Sequence, residues 1–414
     1  MKRSAWMILW AAFSTGVLAT IVQFSIPPIL PLVKDQYEVT YTGSALLMSL
    51  FALATVLAAV PGGFIVGRYG VRKIGLLGIG FLFFGIIVCL LANNFPLLLL
   101  GRIIAGIGFG FVSVAAPSAI GHYVPAKMIS VAMGIWSTWI PVGSLIMFLS
   151  APKFVLTFGS DIFWIALMVI LIAGFLFYAK MIPKHEQNPK DALQAEAAKL
   201  DKKVLLSEIK NKNVWWAALA FTSFTFAFFS FNTWISTYLT ETTSMNLTIA
   251  TLIPSIVALF TMISNIYSGF LLKKCGNHLG IFAVPAVIFI LVWPLFNSSS
   301  VVMFYIIATV LGLIAGFTPT IVFGAAPLLA KRKETIGIAM SIVIIGENMG
   351  VLIGPEVFGV LREWTGDFTA GFWALSLASI LMLISCLQIW RSGAFGEKTS
   401  HHIAAEENSL PEKV

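Results

Sequence analysis

The chain reads as a succession of long apolar runs separated by short polar or basic breaks. Apolar runs of this length mark membrane helices. Charges and turn residues divide them into twelve: 5–32, 42–66, 73–93, 95–120, 127–151, 160–182, 214–238, 245–272, 278–297, 300–330, 334–361 and 367–391. Several exceed the roughly 20 residues that cross the hydrocarbon, which predicts tilt, kinks at internal prolines or short extensions. The longest polar stretch, IPKHEQNPKDALQAEAAKLDKKVLLSEIKNKN (182–213), separates the sixth run from the seventh. The expected architecture is an all-α membrane protein of twelve transmembrane helices. It comprises an N-terminal six-helix bundle (1–182), a cytoplasmic linker (183–213), a C-terminal six-helix bundle (214–391) and a cytoplasmic tail (392–414). The uncharged run from Ser4 to Val33 outlasts the apolar core of a signal peptide, so a retained first helix is expected.

Composition supports this and removes other classes. Hydrophobic residues make up 58% and charged residues 11% of the 414, where a soluble domain carries about 25% charged. The net charge of +8 would suggest nucleic acid in a soluble protein, but its distribution suggests topology instead. Of the 26 Lys and Arg, Lys34, Lys153 and Arg362 fall in loops on one side and Arg102 lies inside a run. The others gather on the side of both termini. That asymmetry predicts an even number of spans in a prokaryotic plasma membrane, with cytoplasmic termini and no nucleic-acid partner. Cys89, Cys275 and Cys386 form neither a metal spacing nor a disulfide framework. With no nucleotide loop, nucleophile or metal constellation, neither an enzyme nor a cofactor is expected.

The halves repeat each other. GGFIVGRYGVRK (62–73) aligns with SGFLLKKCGNHL (268–279) at an offset of 206, and AMGIWSTWIPVG (132–143) with AMSIVIIGENMG (339–350) at 207. Two matches at nearly one offset indicate a duplicated six-helix unit. Paired parallel halves around a midplane site are one architecture of secondary transporters.

At this point the chain resembles the major facilitator superfamily, in layout and in loop motifs. The superfamily's motif between helices two and three is matched by Gly63, Arg68, Gly70, Arg72 and Lys73, with Gly67 where an acid is usual. The second copy, Gly269, Lys274 and Gly276, has Lys273 at the acid position. The resemblance implies a turn that helps hold one arrangement of the halves, without the usual acid. RIIAGIGFG (102–110) is similar to the helix-four motif of an Arg followed by Gly-x-Gly. The resemblance places Arg102 near proton-linked steps, whereas the residue alone reads equally as a snorkelling or helix-fixing cation. The Gly-Pro antiporter motif is absent from GIWSTWIPVGSL, as are sugar- and nitrate-porter signatures. NTWISTYLTE (232–241) gives a faint likeness to cyanate-, nitroimidazole- or organic-anion uptake branches.

In this architecture the solute site lies midway along the helices between the halves. The polar or aromatic residues at that depth are Gln23, Trp136, Thr138, Trp139, Asn232, Trp234, Asn265, Thr318 and Asn348. Arg102, Trp139, Asn232, Gln23, Thr318 and Asn348 form the expected substrate set. Each alone also reads as a helix–helix hydrogen bond. Glu347, about 13 residues beyond Glu334, sits near mid-bilayer, where a charge is expensive. It suits a group that carries a proton in one state and releases it in another. The rival is a protonated Glu bonded to a neighbouring helix, since Gly350 and Gly354 project close to its face. Glu356 reads as interfacial.

The expected function is alternating-access secondary transport of a small organic solute, an organic anion favoured, by proton-coupled uptake. The alternatives are proton-coupled efflux of hydrophobic or cationic drugs, and a non-transporting membrane sensor. The expected partners are a small-molecule substrate, protons and the lipid bilayer, with the chain acting as a monomer.

Overall fold

The computed structural model describes residues 5–183, 207–274, 278–298, 300–332 and 335–392. Within these the helices are α1 (Ala5–Gln23), α2 (Leu30–Gln36), α3 (Tyr41–Tyr69), α4 (Val71–Leu90), α5 (Phe95–Tyr123), α6 (Ala126–Trp136), α7 (Trp139–Phe158) and α8 (Ser160–Met181), then α9 (Lys212–Thr242). They continue as α10 (Leu247–Ala250), α11 (Leu252–Lys274), α12 (His278–Val292), α13 (Val301–Ala315), α14 (Phe317–Leu329), α15 (Ile336–Thr365) and α16 (Thr369–Arg391). Eleven spans among the described residues are long and apolar enough to cross a bilayer, and the ninth crossing is a shorter apolar helix, Ala283–Asn297. That crossing carries Pro285, and its end tightens into a 3-10 turn at Trp293–Ser298, which holds Pro294. Most of the linker and the tail lie outside the described residues.

Local chemistry sets the reversals. Thr40 caps α3 by accepting from the Gly43 N–H, and Asn94 caps α5 by accepting from the Leu97 N–H. Gly70 turns α3 into α4 at φ 81° and Gly366 ends α15 at φ 78°, left-handed conformations that favour glycine. The helices then close on one another through small residues, as lipid-embedded bundles do. A Cβ at Gly108 would lie 2.6 Å from the Gly78 carbonyl, and one at Gly85 2.6 Å from the Ala105 N. α4 and α5 therefore touch backbone to backbone.

The two halves are built alike. Gly143 on α7 lets that helix meet Thr20 of α1, and Gly350 on α15 lets that helix meet Thr225 of α9. The sequence match between the halves is thus also a match of packing role. The halves touch along α3 and α15, along α7 and α11, and between the α1–α2 segment and α9.

One face, here the near face, carries the starts of α1, α9 and α15. There the carboxylate of Glu208, wholly buried, joins the start of α9 to the α14–α15 turn. It accepts from Asn211 Nδ2 at 2.7 Å, Lys331 N at 3.0 Å and Thr335 Oγ1 at 2.8 Å. Glu208→Ala strips these three donors of their acceptor and is expected to cost about 2–3 kcal/mol. Thermal unfolding of the purified protein checks this, and an unchanged midpoint would refute the joint.

Candidate functional site

Among the described residues, three crossings are interrupted away from their ends, each just before a proline. A proline has no N–H, so the carbonyl four residues earlier loses its helical donor. Pro27 leaves the Gln23 carbonyl open, Pro141 leaves that of Ser137, and Pro319 follows the break at Gly316. What takes up these groups defines the middle of the molecule.

The Gln23 carbonyl is taken by Arg102. This guanidinium is fully buried; Nη2 donates to Gln23 O at 2.9 Å and reaches Met48 Sδ at 3.7 Å. Nη1 donates to Val22 O at 2.7 Å and Ser25 Oγ at 3.4 Å, and Nε to Leu47 O at 3.1 Å. All five donors are thus committed inside the N-terminal half, fixing the α1 break to α3 and α5. None of the partners is acidic, so the positive charge is not cancelled. The Phe51 ring lies 4.4 Å from its Cζ, a cation–π contact.

From Phe51 a file of rings crosses the half: Phe109 at 5.5 Å, then Trp139 at 5.3 Å, then Trp136 stacked on Trp139 at 4.9 Å and 16°. The two indoles lie against Gly16 of α1, where a Cβ would come within 2.7 Å of Trp136. The file ends at the break in the fifth crossing. There the Ser137 carbonyl, orphaned by Pro141, accepts from Asn265 Nδ2 of the other half at 3.3 Å. The break in the tenth crossing is stitched by α11. Ser264 Oγ accepts from Gly316 N at 3.0 Å and donates to Gly312 O at 2.9 Å, and Ser268 Oγ donates to Gly316 O at 3.4 Å.

Buried side-chain oxygens without a hydrogen-bond partner cluster at these places: Gln23 Oε1, Asn265 Oδ1 and Thr318 Oγ1, with Ser236 and Thr237 on α9. A buried polar group without a partner is costly and calls for a reason. Gln23, Arg102 and Trp139 are linked through the α1 break and the ring file. Thr318 stands at the other interruption, in the C-terminal half. Asn232 and Asn348 donate to Phe228 O at 2.7 Å and Ile344 O at 2.9 Å of their own helices. Glu347 is half-buried; only its backbone carbonyl is used, by Thr225 Oγ1 at 2.7 Å, and its carboxyl has no partner among the described residues.

The helix two–three motif is not a loop. α3 runs through Gly63 and Arg68 to Tyr69, so only Gly70 forms the turn, and Gly63 does not need the positive φ that a sharp loop would require. Arg72 donates twice to Ala179 O, at 3.2 and 2.7 Å, within its own half, and Lys73 is exposed. The second copy begins inside α11, with Gly269, Lys273 and Lys274 in its last turns; the side chains of Arg68, Lys273 and Lys274, and Gly276, lie outside the described residues.

The opposite, far face is fastened between the halves. Glu241 at the end of α9 is held by Lys34 Nζ at 3.1 Å and Tyr41 OH at 2.7 Å from one half, and by Arg362 Nη2 at 3.3 Å from its own. Thr42 N donates to Glu363 Oε2 at 3.1 Å, and Ser49 Oγ to Glu356 Oε2 at 3.4 Å. Glu356, expected at the lipid interface, instead lies half-buried across from α3. Sequence reasoning missed this fastening, yet it held a signal. Lys34 and Arg362 are two of the three basic residues on the side where few occur.

Comparisons with known proteins agree with this arrangement. The sequence signature of the Major Facilitator Superfamily matches residues 12–335. The hexuronate transporter of Bacillus subtilis (strain 168) is 24% identical over 378 residues, covering 87% of this chain and 88% of that one. The cis,cis-muconate transport protein of Acinetobacter baylyi is 23% identical over 360 residues, covering 84% of each. In fold, the chain is similar to a bacterial homolog of the human lysosomal transporter Spinster in its inward-facing, unoccupied conformation. The TM-score is 0.72 at 16% identity, over 94% of this chain and 96% of that one. The chain belongs to the major facilitator superfamily and is a secondary transporter.

Proposed function

We propose that this transporter takes up a small organic anion by alternating access, coupled to protons, in a prokaryotic plasma membrane with both termini cytoplasmic. The observation that carries the reading is Arg102: a buried cation with neutral partners only, at the broken middle of α1, beside the unpartnered Gln23 Oε1. Such a charge makes the adjoining interior favourable for an anion. The two relatives with broad coverage are named for hexuronate and muconate, both organic acids. The far face is the extracellular one in this reading, since it carries few basic residues, and its fastening corresponds to the inward-facing state. Gln23, Trp139, Asn232, Thr318 and Asn348 line the route or support its walls, and the chain works as a monomer.

Glu347 is the proton carrier. Its carboxyl has no ion-pair partner among the described residues, so protonation disturbs no existing bond. In proteoliposomes, an inside-alkaline pH gradient should drive D-glucuronate or cis,cis-muconate above equilibrium, and a protonophore should abolish the accumulation. Glu347→Gln should equilibrate the same solute without concentrating it, with uptake independent of pH. Accumulation by Glu347→Gln at the wild-type level would remove Glu347 from the coupling. Gradient-independent uptake by the wild type would remove the protons.

A further inference from the structure

The geometry points to a second carboxylate-binding site at the far face, formed by Lys34, Tyr41 and Arg362. There an incoming organic anion displaces the side chain of Glu241 and so loosens that face. The inference rests on the organic-anion reading and adds an entry site to it.

The site already holds a carboxylate, that of Glu241. Its Oε1 is bound by Lys34 Nζ at 3.1 Å, and its Oε2 by Tyr41 OH at 2.7 Å and Arg362 Nη2 at 3.3 Å. Two cations therefore surround one carboxylate, and both lie against the Tyr41 ring, Lys34 Nζ 3.8 Å and Arg362 Cζ 4.6 Å from its centroid. Lys34 and Arg362 both face Glu241, while the neighbouring Glu363 carboxylate is engaged by the Thr42 N–H. The host also keeps an unused donor, because Arg362 Nε is buried without a partner. Glu241, tethered to the last turn of α9, meets only one nitrogen of that guanidinium. A free carboxylate can take Nε and Nη2 together, the bidentate arrangement that Arg favours. The side chains are 17–27% exposed, so a solute at that face can reach them.

Displacement has a mechanical result. The bonds from Lys34 and Tyr41 to Glu241 join the halves. Once a free anion occupies the host, these covalently tethered ties are replaced by an exchangeable ion, and the fastening is weakened to the Arg362 Nη2–Tyr41 OH bond at 3.2 Å and the Glu363 and Glu356 contacts. A tethered rival acts at an effective concentration of about millimolar, so the entry site is weak and responds to abundant solute.

The test uses spin labels at Glu38→Cys and Trp364→Cys on the full chain, with the native cysteines replaced, and acetate as the probe. Acetate should shift the label-to-label distance to a longer population, while chloride at equal ionic strength should not. Glu241→Gln should populate the longer distance without acetate and bind acetate about tenfold more tightly, the equivalent of one charge-assisted contact. Glu241→Gln combined with Arg362→Gln should lose that gain. Equal responses to acetate and chloride, or no gain of affinity in Glu241→Gln, would overturn the site. Should Glu241→Gln not fold, the wild-type comparison of acetate with chloride decides alone. The readout needs no transport. A wild-type acetate response without glucuronate or muconate uptake supports this site and counts against the transport reading. Normal uptake without an acetate response overturns this site alone.

Discussion

Replacing Arg102 by methionine should lower the stability of the protein by at least about 3 kcal/mol and abolish uptake. The methionine fills much of the volume but leaves the carbonyls of Val22, Gln23 and Leu47 facing an apolar side chain. The Gln23 carbonyl is the most exposed to this loss, because Pro27 has no N–H with which to replace the arginine. Arg102→Lys should recover only part of the stability. A single ammonium cannot span acceptors on the α1 break and α3 as a planar five-donor fork does. The check is thermal unfolding of both variants in one detergent. A methionine variant melting with the wild type would mean that the α1 break is held by something other than Arg102.

A comparable loss is expected from Gly350→Ala, a change of one methyl group. A Cβ there would collide with Thr225 Oγ1 and the Thr222 carbonyl, and would lie 2.6 Å from Phe226 N. Two of these neighbours are backbone, so the helices must part rather than a side chain rotate. The expected cost is about 3 kcal/mol. α9 and α15 also carry Glu241 and Arg362, so the same change should loosen the far-face fastening. Gly80→Ala, at a position with nothing within 4 Å of the added atom, serves as the control. Equal melting of the two variants would show that the close approach of α9 and α15 is not needed.

Much of the fold was legible because the bilayer leaves few options. Every backbone group must be bonded internally, so hydropathy and the placement of Lys and Arg predicted most helix limits to within a few residues, the end of the fifth crossing at Phe158 rather than 151 being the exception. The interruptions were legible only as a general expectation of kinks at prolines. Which side chain would take each orphaned carbonyl depends on neighbours far away in sequence, as Arg102 does for Gln23 and Asn265 for Ser137. Phase along one helix likewise does not name the helix it faces. Glu356 read as interfacial, yet it meets Ser49, and Tyr238, an aromatic near a helix end of the kind that suits the interfacial belt, is buried with its hydroxyl on Phe296 O. Gln23, Trp139 and Thr318 were singled out by depth and polarity; Ser236 and Thr237 were not, because short hydroxyls in a helix usually bond the preceding turn.

The far-face ion pair also bears on ancestry. Lys34 and Glu241 are 207 residues apart, the offset that superposes AMGIWSTWIPVG on AMSIVIIGENMG. At the offset of 206 shown by the nearer repeat, Lys34 stands opposite Thr240, one residue from Glu241, so the pair marks one place of the ancestral unit, seen twice. In a dimer of identical six-helix units that position would meet its own copy near the symmetry axis, cation against cation or carboxylate against carboxylate. Opposite charges became possible there only once duplication had put the copies on one chain and let them diverge. The pair records the moment at which the halves ceased to be interchangeable.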